Sequence, residues 1–248
     1  MSARITLATA RRVLTQLRHD HRTVALMLVV PLVLLTLLWW VYIDSPLVFD
    51  RIGPALLGFF PFVVMFLVTS VATLRERTTG TLERLLAMPT GKADLLVGYA
   101  LAFGALAVVQ AVLASALLLG PLGVDLVGPA WMLVLVAVLD AVLGVALGLA
   151  VSALASTEFQ AVQFMPAVVF PQFLLCGLLL PRDELSSTLH AISDVLPLSY
   201  AVDAMTALTV SPELGGLTHG VVADLALIAV FVVTGLALGA LTLRRRTP

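Results

Sequence analysis

The sequence predicts an all-α polytopic membrane protein with six transmembrane helices. Three observations predict it. First, 60% of the 248 residues are hydrophobic and 12% are charged, with a mean hydropathy of +1.09; a soluble domain is about 45–50% apolar and about 25% charged. Second, the apolar residues gather into stretches of helix-spanning length, roughly 20 residues. Third, the basic residues are shared unevenly between the connectors. A soluble fold would lack the polar surface to cover such a core. Disorder needs the opposite composition, and transmembrane β-strands would be half as long and alternate in polarity.

The expected spans are 24–43, 52–74, 95–119, 130–154, 161–180 and 221–243. Twelve of the 14 basic residues fall in alternate connectors: Arg4, Arg11, Arg12, Arg18 and Arg22 before the first span, Arg75, Arg77, Arg84 and Lys92 after the second, and Arg244, Arg245 and Arg246 after the sixth. Only Arg51 and Arg182 lie in the others. The positive-inside rule then places both termini in the cytoplasm and requires an even number of spans. The chain divides into a cytoplasmic segment, 1–23, and a single six-helix domain, 24–248.

The first apolar stretch is too long for a signal peptide and lacks a small-residue cleavage site. Within residues 4–22, helical periodicity brings Arg4, Arg11, Arg18 and Arg22 to one face and Leu7, Ala10, Val13, Leu14 and Leu17 to a neighbouring stripe. This pattern fits a helix lying on an anionic leaflet; a simple basic topology signal is the other reading.

Two connectors exceed the roughly 2–8 residues that antiparallel helices need. In 75–90, Gly80 can end the preceding helix and Thr81 can cap a new one. Glu83 in the first turn suits the helix dipole, and Pro89 closes the element. Leu82, Leu85 and Leu86 form one face of this short helix, which either docks into a groove on a partner protein or lies on the bilayer. In 181–220, Leu185, Leu189, Ile192 and Leu196 recur at helical spacing among polar residues, as in an amphipathic helix at the outer interface. The stretch 198–210 is apolar but too short to span, and fits a re-entrant half-helix.

Several chemistries are excluded. Cys176 is the only cysteine, the histidines (His19, His21, His190, His219) lack zinc-site spacing, and there is no asparagine to glycosylate. The net charge of −1 argues against nucleic acid as a partner. There is no Gly-x-Ser-x-Gly elbow and no His-Glu-x-x-His motif, so an intramembrane hydrolase is disfavoured. The only lysine, Lys92, is followed by Ala93, and Leu86 stands where a P-loop needs its first glycine. This chain builds no ATP site by that motif.

Asp140 falls near the middle of the fourth span, where an ionisable side chain costs roughly 2.5–3.5 kcal/mol to insert. Gly144, Gly148 and Ser152 follow at four-residue spacing, and such small-residue faces let helices approach closely. Asp140 therefore faces protein. It is either a proton or cationic-substrate site, or a packing residue partnered by Gln110 or Gln163.

Thr79-Gly80-Thr81-Leu82-Glu83-Arg84-Leu85-Leu86 with Pro89 and Leu95-Leu96-Val97-Gly98 resembles the first cytoplasmic loop of ABC type-2 exporter permeases. Thr157-Glu158-Phe159-Gln160-Ala161 resembles the loop before that family's fifth span, and Leu196-Pro197-Leu198-Ser199-Tyr200-Ala201-Val202-Asp203 the segment before its sixth. The resemblance covers nearly the whole chain and is strongest to daunorubicin-resistance-like drug exporters. One departure is Leu185-Ser186-Ser187-Thr188-Leu189, where the family often has a second proline and a tryptophan.

The resemblance implies a permease of a bacterial cell membrane, itself not an enzyme, working as a homodimer or with a close paralogue. Two copies of a separate ABC ATPase subunit would carry ATP and Mg, with no cofactor on this chain. Gly80, Thr81, Leu82, Glu83 and Leu86 would form the coupling helix seated on the ATPase, led in by Arg75, Glu76 and Arg77. The family's second and fifth spans commonly line the substrate path, which here points to Phe62, Phe66, Thr69, Gln163, Phe170 and Phe173; packing or lipid contact is the other reading of these residues. The cargo would be hydrophobic or amphiphilic: a drug, antibiotic or lipid-like molecule. The alternative is a proton-coupled secondary exporter working through Asp140.

Overall fold

A computed structural model describes residues 2–80, 91–210 and 219–242. Among these the chain is helical, with no strand. Helix α1 (Ala3–His19) is followed at once by α2 (His21–Val41). Asp20 both ends α1 and caps α2, its carboxylate accepting from the Thr23 amide at 3.1 Å. Next come α3 (Pro46–Thr78), α4 (Lys92–Leu119), α5 (Ala130–Ser152) and α6 (Glu158–Leu175). A 3-10 turn (Arg182–Glu184), the short α7 (Ser187–Ser193), α8 (Pro197–Val210) and α9 (His219–Thr242) complete the order.

Among the described residues five helices, α2, α3, α4, α5 and α9, are long and apolar enough to cross a membrane. Their ends differ from the apolar stretches because polar residues remain helical beyond the hydrocarbon. Helix α3 shows this most: it has 33 residues, about 50 Å at 1.5 Å per residue. From Arg51 to Arg75 is about 36 Å on that rise, so its charged ends bracket a hydrocarbon core of about 30 Å.

The fifth apolar stretch behaves differently. Its helix, α6, starts at Glu158, contains Pro166 and Pro171, and stops at Leu175 instead of running to residue 180. The chain turns out at Gly177, whose φ of 95° is open to glycine at little cost. A Cβ built there would sit 3.3 Å from the Arg182 side chain, so Gly177 also makes room for that arginine.

Helix α5 is the centre of the bundle and packs on α3, α4 and α9. Its predicted small-residue face meets α3. A Cβ on Gly144 would lie 2.4 Å from the Phe62 carbonyl oxygen, and one on Gly148 2.6 Å from that of Phe66. The two backbones are in direct contact, as small residues permit in membranes. Gly235 of α9 meets Ala146 of α5 in a looser version of the same packing.

The face of α1 that packs differs from the predicted stripe. Thr6, Thr9, Ala10 and Val13 are buried, while Leu7 is 63% exposed. The reason is Gly98 of α4, which leaves a hollow that Thr9 fills; a Cβ there would be 2.6 Å from the Thr9 Cβ. Helix α8 is pinned at both ends. The Gln172 side-chain oxygen accepts from the Leu198 amide at 3.2 Å, and the Leu208 carbonyl accepts from the amides of Val127 and Gly128. The charged residues thus gather at two ends: a basic end, with α1 and the C-terminus of α3, and an acidic end, with Arg51 and the 181–210 region.

Candidate functional site

At the basic end, the last turn of α3 carries Arg75, Glu76 and Arg77, and each reaches a different helix. Glu76 is held from α1 by Arg12, with Nη1 donating to Oε1 at 3.2 Å and Nη2 to Oε2 at 2.9 Å. Such bidentate pairs fix geometry as well as charge. Tyr99 of α4 donates its hydroxyl to Glu76 and accepts from Arg12 Nη2 at 2.8 Å. The pair is largely sheltered, with side-chain exposures of 28% for Arg12 and 16% for Glu76. Burial works against the Arg12 charge, but hydrogen bonding and attraction to Glu76 and Tyr99 outweigh it and raise its pKa.

Arg75 makes a second bidentate pair with Glu158 at the start of α6, at 2.9 and 3.1 Å. The hydrogen bond from Arg75 lowers the Glu158 pKa. Arg77 donates to the Ser152 carbonyl at the C-terminus of α5, where a cation complements the helix dipole. At the other end of α1, the Ser2 amide donates to Asp94 of α4 at 2.9 Å. Beyond these clamps the helix ends at Thr78, and Gly80 adopts a φ of 73°, the left-handed cap that glycine supplies. Thr81, Leu82, Glu83 and Leu86 lie outside the described residues.

Sequence reasoning named Arg75, Glu76 and Arg77 only as a lead-in, and it missed the role of Arg12 and Tyr99. Arg12 falls off the predicted basic face of α1; that displacement was the available signal. Glu158 was noted within its motif, though without a partner.

Asp140 is fully buried, and neither carboxylate oxygen has a hydrogen-bond partner among the described residues. It packs at the junction of α3, α5 and α8. A Cβ on Gly58 would lie 3.3 Å from Asp140 Oδ2 and 3.2 Å from the Met205 sulfur. Gln110 instead donates to the Met27 carbonyl at 3.0 Å, tying α4 to α2, and Gln163 is exposed.

The path residues separate into two groups. Phe62, Phe66 and Thr69 are fully buried on α3, in or beside the seam with α5. Gln163 and Phe170 are exposed on α6 with Phe159, Val162 and Leu174, forming one stripe at helical spacing. Phe173 is partly buried and packs on Phe59 with ring centroids 4.7 Å apart.

At the acidic end a single arginine organises the site. Arg182 donates to both Asp194 and Asp203 and lies 5.5 Å from the Tyr200 ring centroid. Tyr200 donates to the Asp194 carbonyl at 2.5 Å, and His190 Nδ1 lies 3.0 Å from the Arg182 carbonyl. Burial pushes the Asp203 carboxyl upward in pKa, and the charge of Arg182 offsets that only partly. Ser193 donates to the Leu175 carbonyl at 2.8 Å, closing α7 against α6. The predicted apolar stripe of this region forms only in part, since α7 has seven residues, and Leu189 and Ile192 on it are exposed.

A helical bundle built for a bilayer, with a clamped helix end on one side and a charged hairpin on the other, defines a polytopic membrane protein. The chain belongs to the ABC-2 type transporter family, whose sequence profile matches residues 4–210. It is similar to a protein of Escherichia coli K12 named Probable multidrug ABC transporter permease YbhR, with 26% identity over 150 residues, covering 60% of this chain and 41% of that protein. The related Probable multidrug ABC transporter permease YbhS is 25% identical over 150 residues, 59% of this chain and 39% of its own length. ABC transporter G family member 20 of Dictyostelium discoideum is 28% identical over 156 residues, 63% of this chain and 21% of that protein. The chain thus matches between about a fifth and two fifths of the length of these relatives.

Proposed function

We propose that this chain is the membrane permease subunit of an ATP-binding-cassette exporter that moves a hydrophobic or amphiphilic molecule out of the cytoplasm. The observation that carries this reading is the three-way clamp on the last turn of α3. A push on the loop after Gly80 acts on a segment tied to α1, α4, α5 and α6 at once. That is the arrangement a transporter needs if a partner's movement is to reach several membrane helices together.

In this reading the loop at 80–86 is the coupling helix, with Glu83 in its first turn. Two copies of a separate ABC ATPase bind ATP and Mg there, and the permease works as a dimer. Helix α6 is the fifth span and brings the total to six, both termini face the cytoplasm of a bacterial cell, and α1 lies along the inner leaflet. The exposed stripe of α6 with Gln163 and Phe170 faces the partner permease and the cargo. Phe173, Phe62, Phe66 and Thr69 lie behind it and reach the path only as α3 and α6 shift. Membership of the ABC-2 family favours this reading over a proton-coupled exporter using Asp140.

The test is co-expression with a P-loop ATPase, sought first among the neighbouring genes. The expected result is a stable complex whose ATP hydrolysis is stimulated by this chain. Glu83→Arg is expected to leave the permease inserted and to uncouple hydrolysis from transport. Full transport by that variant, or by the permease alone, would sink the proposal.

A further inference from the structure

A cavity of about 510 Å³ opens at the acidic end between α3, the 177–183 turn and α8. This is within the usual size range of small-molecule sites, about 300–1,000 Å³. Arg182, Asp194 and Asp203 line it as one cluster, in which a single arginine serves two carboxylates and the balance is negative. Two further charged side chains line it with no ion pair or hydrogen bond among the described residues: Arg51 on α3 and Asp183 in the 3-10 turn. Among the described residues the cavity therefore adds one unpaired cation, Arg51, and one unpaired anion, Asp183, to a cluster whose own balance is negative. Ile52, Ala55, Leu178, Val202 and Ala207 give it an apolar wall.

A pure anion would meet an uncompensated Asp183, a pure cation an uncompensated Arg51, and a hydrocarbon both. The complement is a zwitterionic amphiphile. Depth agrees, because Arg51 sits at the edge of the hydrocarbon by the length of α3, the level of lipid headgroups. A guanidinium binds phosphate oxygens bidentately, and a primary ammonium can donate hydrogen bonds to a carboxylate whereas a quaternary one cannot.

We propose that this cavity binds a phosphate–primary amine headgroup of the phosphoethanolamine type, with Arg51 on the phosphate, Asp183 on the ammonium and the apolar wall against the chains. The assignment needs no ATPase and does not rest on the coupling reading. The same headgroup could belong to a resident outer-leaflet lipid or to an amphiphile in transit.

The experiment titrates the full purified chain in detergent with dihexanoylphosphatidylethanolamine and follows binding by native mass spectrometry. The choline and glycerol analogues are titrated in parallel. The ethanolamine form is expected to bind about tenfold tighter than either analogue, and Arg51→Gln and Asp183→Asn each to lose about tenfold. Both are exposed polar positions, so thermal midpoints should stay at the wild-type value and certify folding. Glu184→Gln, next to the site but not lining it, should bind as wild type. Equal affinity for the three lipids, or unchanged affinity in both variants, overturns the proposal. Phosphatidylethanolamine retained through purification marks a resident lipid; binding only of added probe marks an amphiphile in transit; both support the headgroup assignment.

Discussion

The two charged ends of the bundle are organised in opposite ways. At the basic end the last turn of α3 accepts through Glu76 and donates through Arg75 and Arg77, and the partners are far apart in sequence: 64 residues for Arg12 and Glu76, 83 for Arg75 and Glu158, 75 for Arg77 and Ser152. At the acidic end one arginine gathers carboxylates only 12 and 21 residues away. The first arrangement joins distant helices into one body. The second folds a local segment onto itself. A perturbation at the basic end should therefore spread through the bundle, while one at the acidic end should stay within residues 176–208.

The most severe way to break this contrast is to part the helices that carry the basic clamp. Gly148→Leu would drive a side chain into the Phe66 carbonyl and move Ser152 away from Arg77. A cost upward of about 3 kcal/mol is expected, because main chain cannot repack as a core side chain does. Size-exclusion profiles in detergent should show loss of the folded species. Glu76→Ala comes next, at about 2 kcal/mol, since it leaves the sheltered Arg12 and the Tyr99 hydroxyl short of a partner. Its thermal midpoint should fall, and hydrogen exchange should rise in α1 and α4 together; a rise confined to α3 would erase the contrast.

Arg182→Ala should cost less, about 1 kcal/mol, because Asp194 and Asp203 keep enough exposure to hydrate once released. Faster exchange is expected only within 176–208. Spread into α1 would show that the acidic end is not self-contained. The exposed Arg75–Glu158 pair should contribute under about 1 kcal/mol in a double-mutant cycle, and less still in about 0.5 M salt.

Acid should act on the two ends with opposite sign. Glu158 has a lowered pKa, so its stabilisation is present above the unfolded value of about 4.3 and is lost as pH falls through the folded value. Asp203 has a raised pKa, so its ionised form weakens the fold at neutral pH, and stability returns as pH falls through the folded value toward about 3.9. As pH falls from about 7 to about 2, the acidic end should tighten first, down to about pH 4, and the basic end should loosen only below about pH 4.3. Thermal midpoints across that range should lose their acidic-end component in Asp203→Asn and their basic-end component in Glu158→Gln.

The sequence made the bundle legible because bilayer length and small-residue spacing are local signals. The boundaries of 130–154 and 95–119 lie within a few residues of α5 and α4, and the face Asp140–Gly144–Gly148 packs on protein as its spacing required. The stop's alignment with Gly80 was equally local. The clamps were not legible, since nothing in one chain pairs Arg12 with Glu76 across 64 residues. Helix α6 fell short of its apolar stretch because Gly177 turns the backbone to admit Arg182, a tertiary demand that hydropathy does not register. Arg182 itself entered the sequence reading only as one of two outer charges.

Where Gly144 and Gly148 meet the Phe62 and Phe66 carbonyls, there is no compressible layer between α3 and α5. A side chain can absorb a displacement by changing rotamer; peptide units in contact cannot. The two helices must tilt or slide as a single spar. Any stroke delivered at Arg75 would then arrive beside Arg51, some 36 Å away, with little loss of amplitude. The glycines that let the helices meet thus make the pair a lever between the two faces of the membrane.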